Sequence, residues 1–184
     1  EVVSFISYPH EWSFSQLKDA ALLTLSIQKI ALQHGMSLTD ASAFNIQFKD
    51  CYPIFIDTLS FEIYQEGRPW LAYRQFCQHF LAPLALMSIQ DVEFNKWFRI
   101  NIDGIPLGLA SKLLPLRSWF NFSLLSHIHL HAKGEQHLSR NSSIQAKHKL
   151  SLNAMHGIIE SLETAINNLR WKHDSTRWSG YYES

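Results

Sequence analysis

Several kinds of protein are ruled out by what this sequence has little of. Its 184 residues include two cysteines, Cys51 and Cys77, and no Cys-x-x-Cys pair. A disulfide framework is thereby excluded, and a reducing, cytoplasmic setting is the expected one. Glycine is scarce, at seven residues, and none forms a glycine-rich loop after a predicted strand, so no dinucleotide-type fold is expected within this stretch. An excess of either charge is also missing. Sixteen basic residues face sixteen acidic ones and only 17% of the chain is charged, so no broad field is expected to draw nucleic acid or an anionic membrane. No apolar run approaches the roughly 18 residues of a membrane span; the longest, "FLAPLALM", is interrupted by Pro83. The first residue is Glu rather than Met, with no signal-peptide pattern behind it, and "RWSGYYES" has no tail signature. Both ends read as cuts from a longer protein.

What the chain does have is apolar bulk. Hydrophobic residues make up 46% and aromatics 13%, including six Trp, which is enough for a real core and suits a chain that also packs against another domain. "SFSQLKDAALLTLSIQKIALQHG" has capping-box spacing between Ser13 and Gln16, and Gly35 supplies a stop. The helix between them is apolar on well over one face, so it is expected to be mostly buried. "FNIQF" and "YPIFID" read as two short strands with a turn near Lys49-Asp50. "RPWLAYRQFCQHFLAPLALM" starts a helix behind Pro69 that Pro83 should end or kink. "DVEFNKWFRI" is a short helix, and "DGIPLGLASKLLP" a turn followed by a helix that stops before Pro115. The stretch from Trp119 to Lys133 is ambiguous between helix and loop.

The predicted class is α+β and mostly helical, with a small β-hairpin. Three segments are expected: a domain over 1–133, a polar linker or loop over 134–149, and an amphipathic helix with a connector over 150–184. In the last, Leu152, Met155, Ile159, Leu162, Ile166 and Leu169 recur at three- and four-residue steps. Lying beyond the polar stretch, that helix is expected to pack on a partner domain rather than on the first core.

Asp40, Asn45 and Asp57 stand at the edges of the two predicted strands, where a core does not need them. A phosphoryl-transfer site of the protein-kinase type uses an Asp to orient the attacking hydroxyl and an Asn five residues later to hold a metal. A second Asp after the next hairpin bridges metal and nucleotide phosphates. Asp40 and Asn45 have that spacing, and Asp57 follows the strand "YPIFI". "QHGMSLTDASAFNIQFKDCYPIFIDTLSFE" resembles the catalytic-loop and metal-loop stretch of the protein-kinase-like superfamily, "HxxGIxHRDLKPEN" to "DFG". It is closer to the branch of small-molecule phosphotransferases such as those of aminoglycosides, which keeps only D-x-x-x-x-N. The resemblance implies a kinase-like large lobe, with Asp40 as the catalytic Asp, Asn45 and Asp57 as metal residues, and magnesium and ATP as the cofactors of the site. Leu38 and Thr39 replace the family's His and Arg, Ser42 replaces its Lys, and "DTL" replaces "DFG". The architecture is therefore better supported than the activity.

A longer resemblance covers most of the chain. "YPHEWSFSQLKDAALLTLSIQ", "GMSLTDASAFNIQF", "IFIDTLSFE", "RPWLAYRQFCQHFLAPLAL" and "IDGIPLGLASKLLP" are similar to the N-terminal region of bacterial SAM-dependent methyltransferases, some of them of the host-specific nodulation type. This implies a downstream methyltransferase domain of the same polypeptide as partner, with SAM bound there and not here. Upstream, a complete phosphotransferase needs a small lobe with a phosphate-covering loop and a Lys held by a Glu. Few residues precede "HEW", so this segment is not expected to be active alone.

Plainer roles stand beside these. Asp40 and Asn45 are residues that cap turns, and a non-catalytic scaffold docking the methyltransferase domain or its acceptor is the alternative function. A helical adaptor without kinase ancestry is a third reading. His127, His129 and His131 alternate like a metal comb, but no carboxylate or Cys accompanies them, so core or surface roles are expected. Cys77 and His79, two apart on a helix, point away from each other. His34 caps a helix end, and Trp70, Tyr73 and Phe76 are expected in the core.

Overall fold

The computed structural model describes residues 3, 5–134 and 150–171. Most of the polar stretch read as a linker, and the connector from 172 onward, lie outside the described residues. The expected capping box is present: Ser13 Oγ accepts from the Gln16 N–H at 3.2 Å, and Gln16 Oε1 accepts from the Ser13 N–H at 2.9 Å. Helix α1 then runs from Phe14 to Gln33 and buries Leu17, Ala20, Ala21, Leu25 and Leu32. Gly35 closes it at a φ of 68°, in the left-handed region that favours glycine.

The hairpin read from sequence forms between β2 (Ile46–Lys49) and β3 (Tyr52–Phe55), which pair antiparallel with Ile46 opposite Phe55 and Lys49 opposite Tyr52. Asp50 takes a φ of 56° at the turn, a conformation that Asp tolerates better than most residues. A second ribbon was not legible beforehand. β1 (Met36–Leu38) pairs antiparallel with β4 (Phe61–Ile63), Met36 opposite Ile63 and Leu38 opposite Phe61. Three residues are too few for a strand period to show.

The chain then turns helical. Tyr73–Phe76, Cys77–Leu81 and Ala82–Ile89 form one continuous helix, α2, whose middle is a π-turn. Pro83 neither ends it nor stands as a defect. The turn before it is wound with i to i+5 bonding, Ala82 N–H to Cys77 carbonyl, and this widened turn makes room where a proline ring would meet a carbonyl. A 3-10 helix over Val92–Arg99 follows, capped by Asp91, whose Oδ1 accepts from the Glu93 N–H. Helix α3 covers Leu107–Leu113. The ambiguous stretch after it is helical: a 3-10 turn over Leu116–Phe120, then α4, which starts at Phe122–Leu124 and continues as a second π-turn over Leu125–Leu130.

The amphipathic helix, α5 (Leu152–Asn168), corrects an expectation. It packs on α1 rather than on a separate partner, and Met155, Ile159, Leu162 and Ile166 join the same core cluster as Leu17, Phe76 and Phe80. Lys18 Nζ donates to the carbonyls of Asn167 and Leu169 at 3.0 Å each, covering the C-terminal end of α5, and Lys29 pairs with Glu163. Each fully buried large apolar side chain here contributes about 1.5–3 kcal/mol before ordering entropy opposes it. No helix among the described residues is long and apolar enough to cross a membrane.

Candidate functional site

The three residues singled out in the sequence lie at one end of the two ribbons. Past β1, the Thr39 N–H donates to the Ser60 carbonyl at 2.8 Å, one step beyond the β1–β4 ladder. Asp40 follows and folds back on itself, its Oδ1 accepting from the Ser42 N–H at 2.8 Å. Ser42 Oγ in turn accepts from the Phe44 N–H, capping a 3-10 turn over Ala43–Asn45. The Asn45 carbonyl accepts from the Ile56 N–H at 2.9 Å, extending the β2–β3 ladder by one step. Asp57 is next, with Oδ1 accepting from the Leu59 N–H at 2.9 Å and Oδ2 from the Ser60 hydroxyl. Ser60 therefore ties the Asp40 strand, through its carbonyl, to the Asp57 turn, through its hydroxyl. The backbones of all three residues converge on one rim. The side chains of Asp40 and Asp57 are each also engaged by a local donor, which is the turn-capping role such residues often take.

Electrostatics separate the members. The Ser60 hydroxyl and then the Leu59 N–H hold the Asp57 carboxyl below its ordinary range, so it is ionised at neutral pH. Asn45 behaves differently. Its side-chain Nδ2 is buried and has no acceptor. Among the described residues this buried donor and the Tyr64 hydroxyl are left without a partner, which is uncommon. Among the described residues no group of three or more His, Cys, Asp or Glu could hold a metal ion. The expected metal residues offer one carboxylate, Asp57, and one amide oxygen, Asn45 Oδ1, both hard oxygen donors. This set fits magnesium, which takes one or two carboxylates and leaves its other positions to water and phosphate.

Two further residues meet this site: Gln75, which the sequence did not single out, and His79, weighed there only as a partner for Cys77. The Ala41 N–H donates to Gln75 Oε1 at 2.8 Å, and the Ala43 N–H donates to His79 Nδ1 at 3.2 Å. Burial lowers the His79 pKa to about 4, against the opposing pull of the Asp40 and Asp103 carboxylates, so its ring is neutral and Nδ1 is open to accept. The available signal was spacing. Gln75 and His79 are four apart, hence on one face of an otherwise buried helix.

The alternating histidines do not form a metal comb. His127 Nδ1 meets the Tyr73 hydroxyl at 2.6 Å and its Nε2 meets Ser161 Oγ at 2.9 Å. His129 sits between Ser111 Oγ at 2.7 Å and Ser118 Oγ at 2.8 Å and stacks on Trp119. His131 lies against the Tyr73 ring. Cys77 and His79 are not a nucleophile pair either: the Cys77 thiol is fully buried, bonds toward Tyr73 and has its pKa pushed up to about 12 by burial, while His79 faces the loop. His34 is the C-cap of α1, as expected, and Trp70 and Phe76 are buried.

No protein-family model matches the chain, and no solved structure matches it. Among curated proteins it is similar to the nodulation protein NoeA of Rhizobium meliloti (strain 1021), with 37% identity over 181 residues. That alignment covers 96% of this chain and 38% of NoeA, so the chain spans well under half the length of that relative.

Proposed function

We propose that this chain is the large-lobe module of a kinase-like fold within a longer, SAM-dependent methyltransferase of the nodulation type, and that Asp40, Asn45 and Asp57 form a remnant magnesium–nucleotide site. One observation carries the reading: β1 pairs with β4 while β2 pairs with β3. A buried helix, a strand, a loop, a hairpin and a returning strand thus follow in the order a kinase-type catalytic loop and metal loop require, and the pairing gathers the three residues on one rim. The likeness to NoeA supports placing the parent protein among nodulation proteins. The two free cysteines, one exposed and one buried, suit a cytoplasmic setting.

In this site Asn45 and Asp57 would hold the magnesium, and the metal would supply charge neutralisation for the nucleotide phosphates. The ionised Asp57 suits that role, and Asn45 would offer the metal its Oδ1, the amide oxygen. Asp40 would orient the hydroxyl, and its Oδ1 also accepts from the Ser42 N–H.

A second reading is favoured by the same hydrogen bonds. Both aspartates are satisfied by their own turns, and Leu38, Thr39 and Thr58 replace residues that an active phosphotransferase uses. A scaffold that docks the methyltransferase domain of the same polypeptide needs the fold but not the nucleotide. Titration calorimetry of the full-length polypeptide with Mg·ATP separates the two. The nucleotide-site reading expects measurable binding that Asp57→Asn weakens at least about tenfold, through loss of one charged metal ligand. Binding that is absent, or indifferent to Asp57→Asn, leaves the scaffold.

A further inference from the structure

The loop from Asp40 to Asn45 is not held by its own turn chemistry alone. Ala41 and Ala43, buried residues that alternate with the polar positions of the loop, both aim their N–H groups at α2. Gln75 Oε1 receives the first at 2.8 Å and His79 Nδ1 the second at 3.2 Å. The two acceptors stand one helical turn apart, so their spacing along α2 matches the two-residue step along an extended loop.

His79 is in turn braced. It lies inside the π-turn over Cys77–Leu81, a local widening that is frequent at functional positions and re-aims side chains relative to a regular helix. The edge of the Phe44 ring packs on it at 6.2 Å with an interplanar angle of 82°. On the opposite side the backbone of Asp103 bonds to the imidazole. The Ile105 N–H donates to the Gln78 carbonyl at 2.9 Å, which docks the 101–105 turn against α2. That docking is close enough to require glycine: at Gly104, with φ of 85°, a Cβ would stand 2.8 Å from the Gln78 backbone and 2.8 Å from His79 Cδ2.

We infer that Gln75 and His79 are positioning residues for the loop that carries Asp40 and Asn45, a two-point clamp with Gln75 on the first turn of α2 and His79 on its π-turn, the latter backed by the turn at Gly104. The inference rests on the proposed site for its purpose, because a clamp on two backbone amides fixes where Asp40 and Asn45 stand without touching a ligand itself. Held this way, the loop meets a nucleotide already ordered, and the cost of ordering it is not subtracted from affinity.

The experiment compares Gln75→Leu, which removes the acceptor, with Gln75→Glu, which keeps an oxygen in place, in the full-length polypeptide. Gln75 is only partly buried, so both variants should fold, and the melting temperature checks that they do. Two quantities are read: amide hydrogen exchange at residues 41–45, and the Kd for Mg·ATP. The clamp expects exchange at Ala41 and Ala43 to quicken about tenfold in Gln75→Leu, the worth of one hydrogen bond, with Gln75→Glu near the parent. It expects Mg·ATP affinity to fall by a similar factor in Gln75→Leu and recover in Gln75→Glu. Unchanged exchange in Gln75→Leu overturns the clamp whatever the nucleotide does. Quickened exchange with unaltered affinity overturns its positioning role. A parent protein that binds no Mg·ATP overturns the nucleotide-site reading and with it the positioning role, and exchange alone then decides whether the clamp exists.

Discussion

The ribbon end that carries Asp40, Asn45 and Asp57 and the helical layer that carries His127 and His129 both contain polar groups the core does not ask for, yet they are finished to different degrees. In the helical layer every ring nitrogen of the two imidazoles has a hydroxyl within 2.9 Å, and the stack of His129 on Trp119 is topped by Lys133 Nζ at 4.6 Å from the ring centre. The circuit is closed, and it ties α2, α3, α4 and α5 together. At the ribbon end the strands are three or four residues long, the carboxylates cap their own turns, and one buried amide is left without an acceptor. A closed polar circuit specifies packing; a buried donor left without an acceptor does not. The histidines, conspicuous in sequence, are therefore structural, which leaves the quieter Asp-Asn-Asp set as the candidate.

Substitutions can press on that contrast from both sides. The largest effect is expected at His129→Ala, which strands the Ser111 hydroxyl, takes one of two partners from Ser118 Oγ (its bond to the Pro115 carbonyl stays), removes the Trp119 stack and opens a cavity in a fully buried position. Chemical denaturation should show a loss of about 3 kcal/mol; a loss under about 1 kcal/mol would show that the circuit is not what holds the helical layer. Next is Gly104→Ala, where both the positive φ and the 2.8 Å approach to α2 oppose a Cβ. It should cost about 2 kcal/mol, with faster amide exchange at the 101–105 turn.

Acid should reach the helical layer in a defined window. His127 has its pKa lowered to about 4, chiefly by burial and secondarily by the neighbouring His131. The unfolded chain binds this proton near pH 6.5 and the folded one does not until about 4, so the contribution is complete above about 6.5 and is lost as pH falls toward 4. Denaturation midpoints at pH 7 and 4.5 should differ, and His127→Gln should shrink the difference. The smallest effect is expected on the ribbon side, at Leu59→Ser. Leu59 is 91% exposed, and its stability change should stay within about 0.5 kcal/mol.

Much of the ribbon end was legible because its signals are local. The Ser13–Gln16 box, the strands "FNIQF" and "YPIFID" and the five-residue step from Asp40 to Asn45 all depend on neighbours in sequence. What was not legible depends on pairing across distance. β1 and β4 are three residues each and recognisable as strands only once Leu38 meets Phe61. The period of α5 showed which face is apolar, but not that α1 would cover it. Pro83 argued for a helix end or a kink, because the π-turn that accommodates it leaves no residue signature of its own. Gln75 and His79 passed as ordinary helix residues for a similar reason, their partners lying more than thirty positions away.

Everything proposed for the ribbon end depends on whether Asn45 and Asp57 hold one metal with Asp40 beside it. Manganese can replace magnesium as a paramagnetic probe, added with ATP to the isotope-labelled full-length polypeptide while amide line widths are followed by NMR. Selective broadening at residues 40, 45 and 57, abolished by Asp57→Asn and accompanied by sharp lines at His127 and His129, is the predicted result. Broadening that misses those three positions, or that survives Asp57→Asn unchanged, would contradict it.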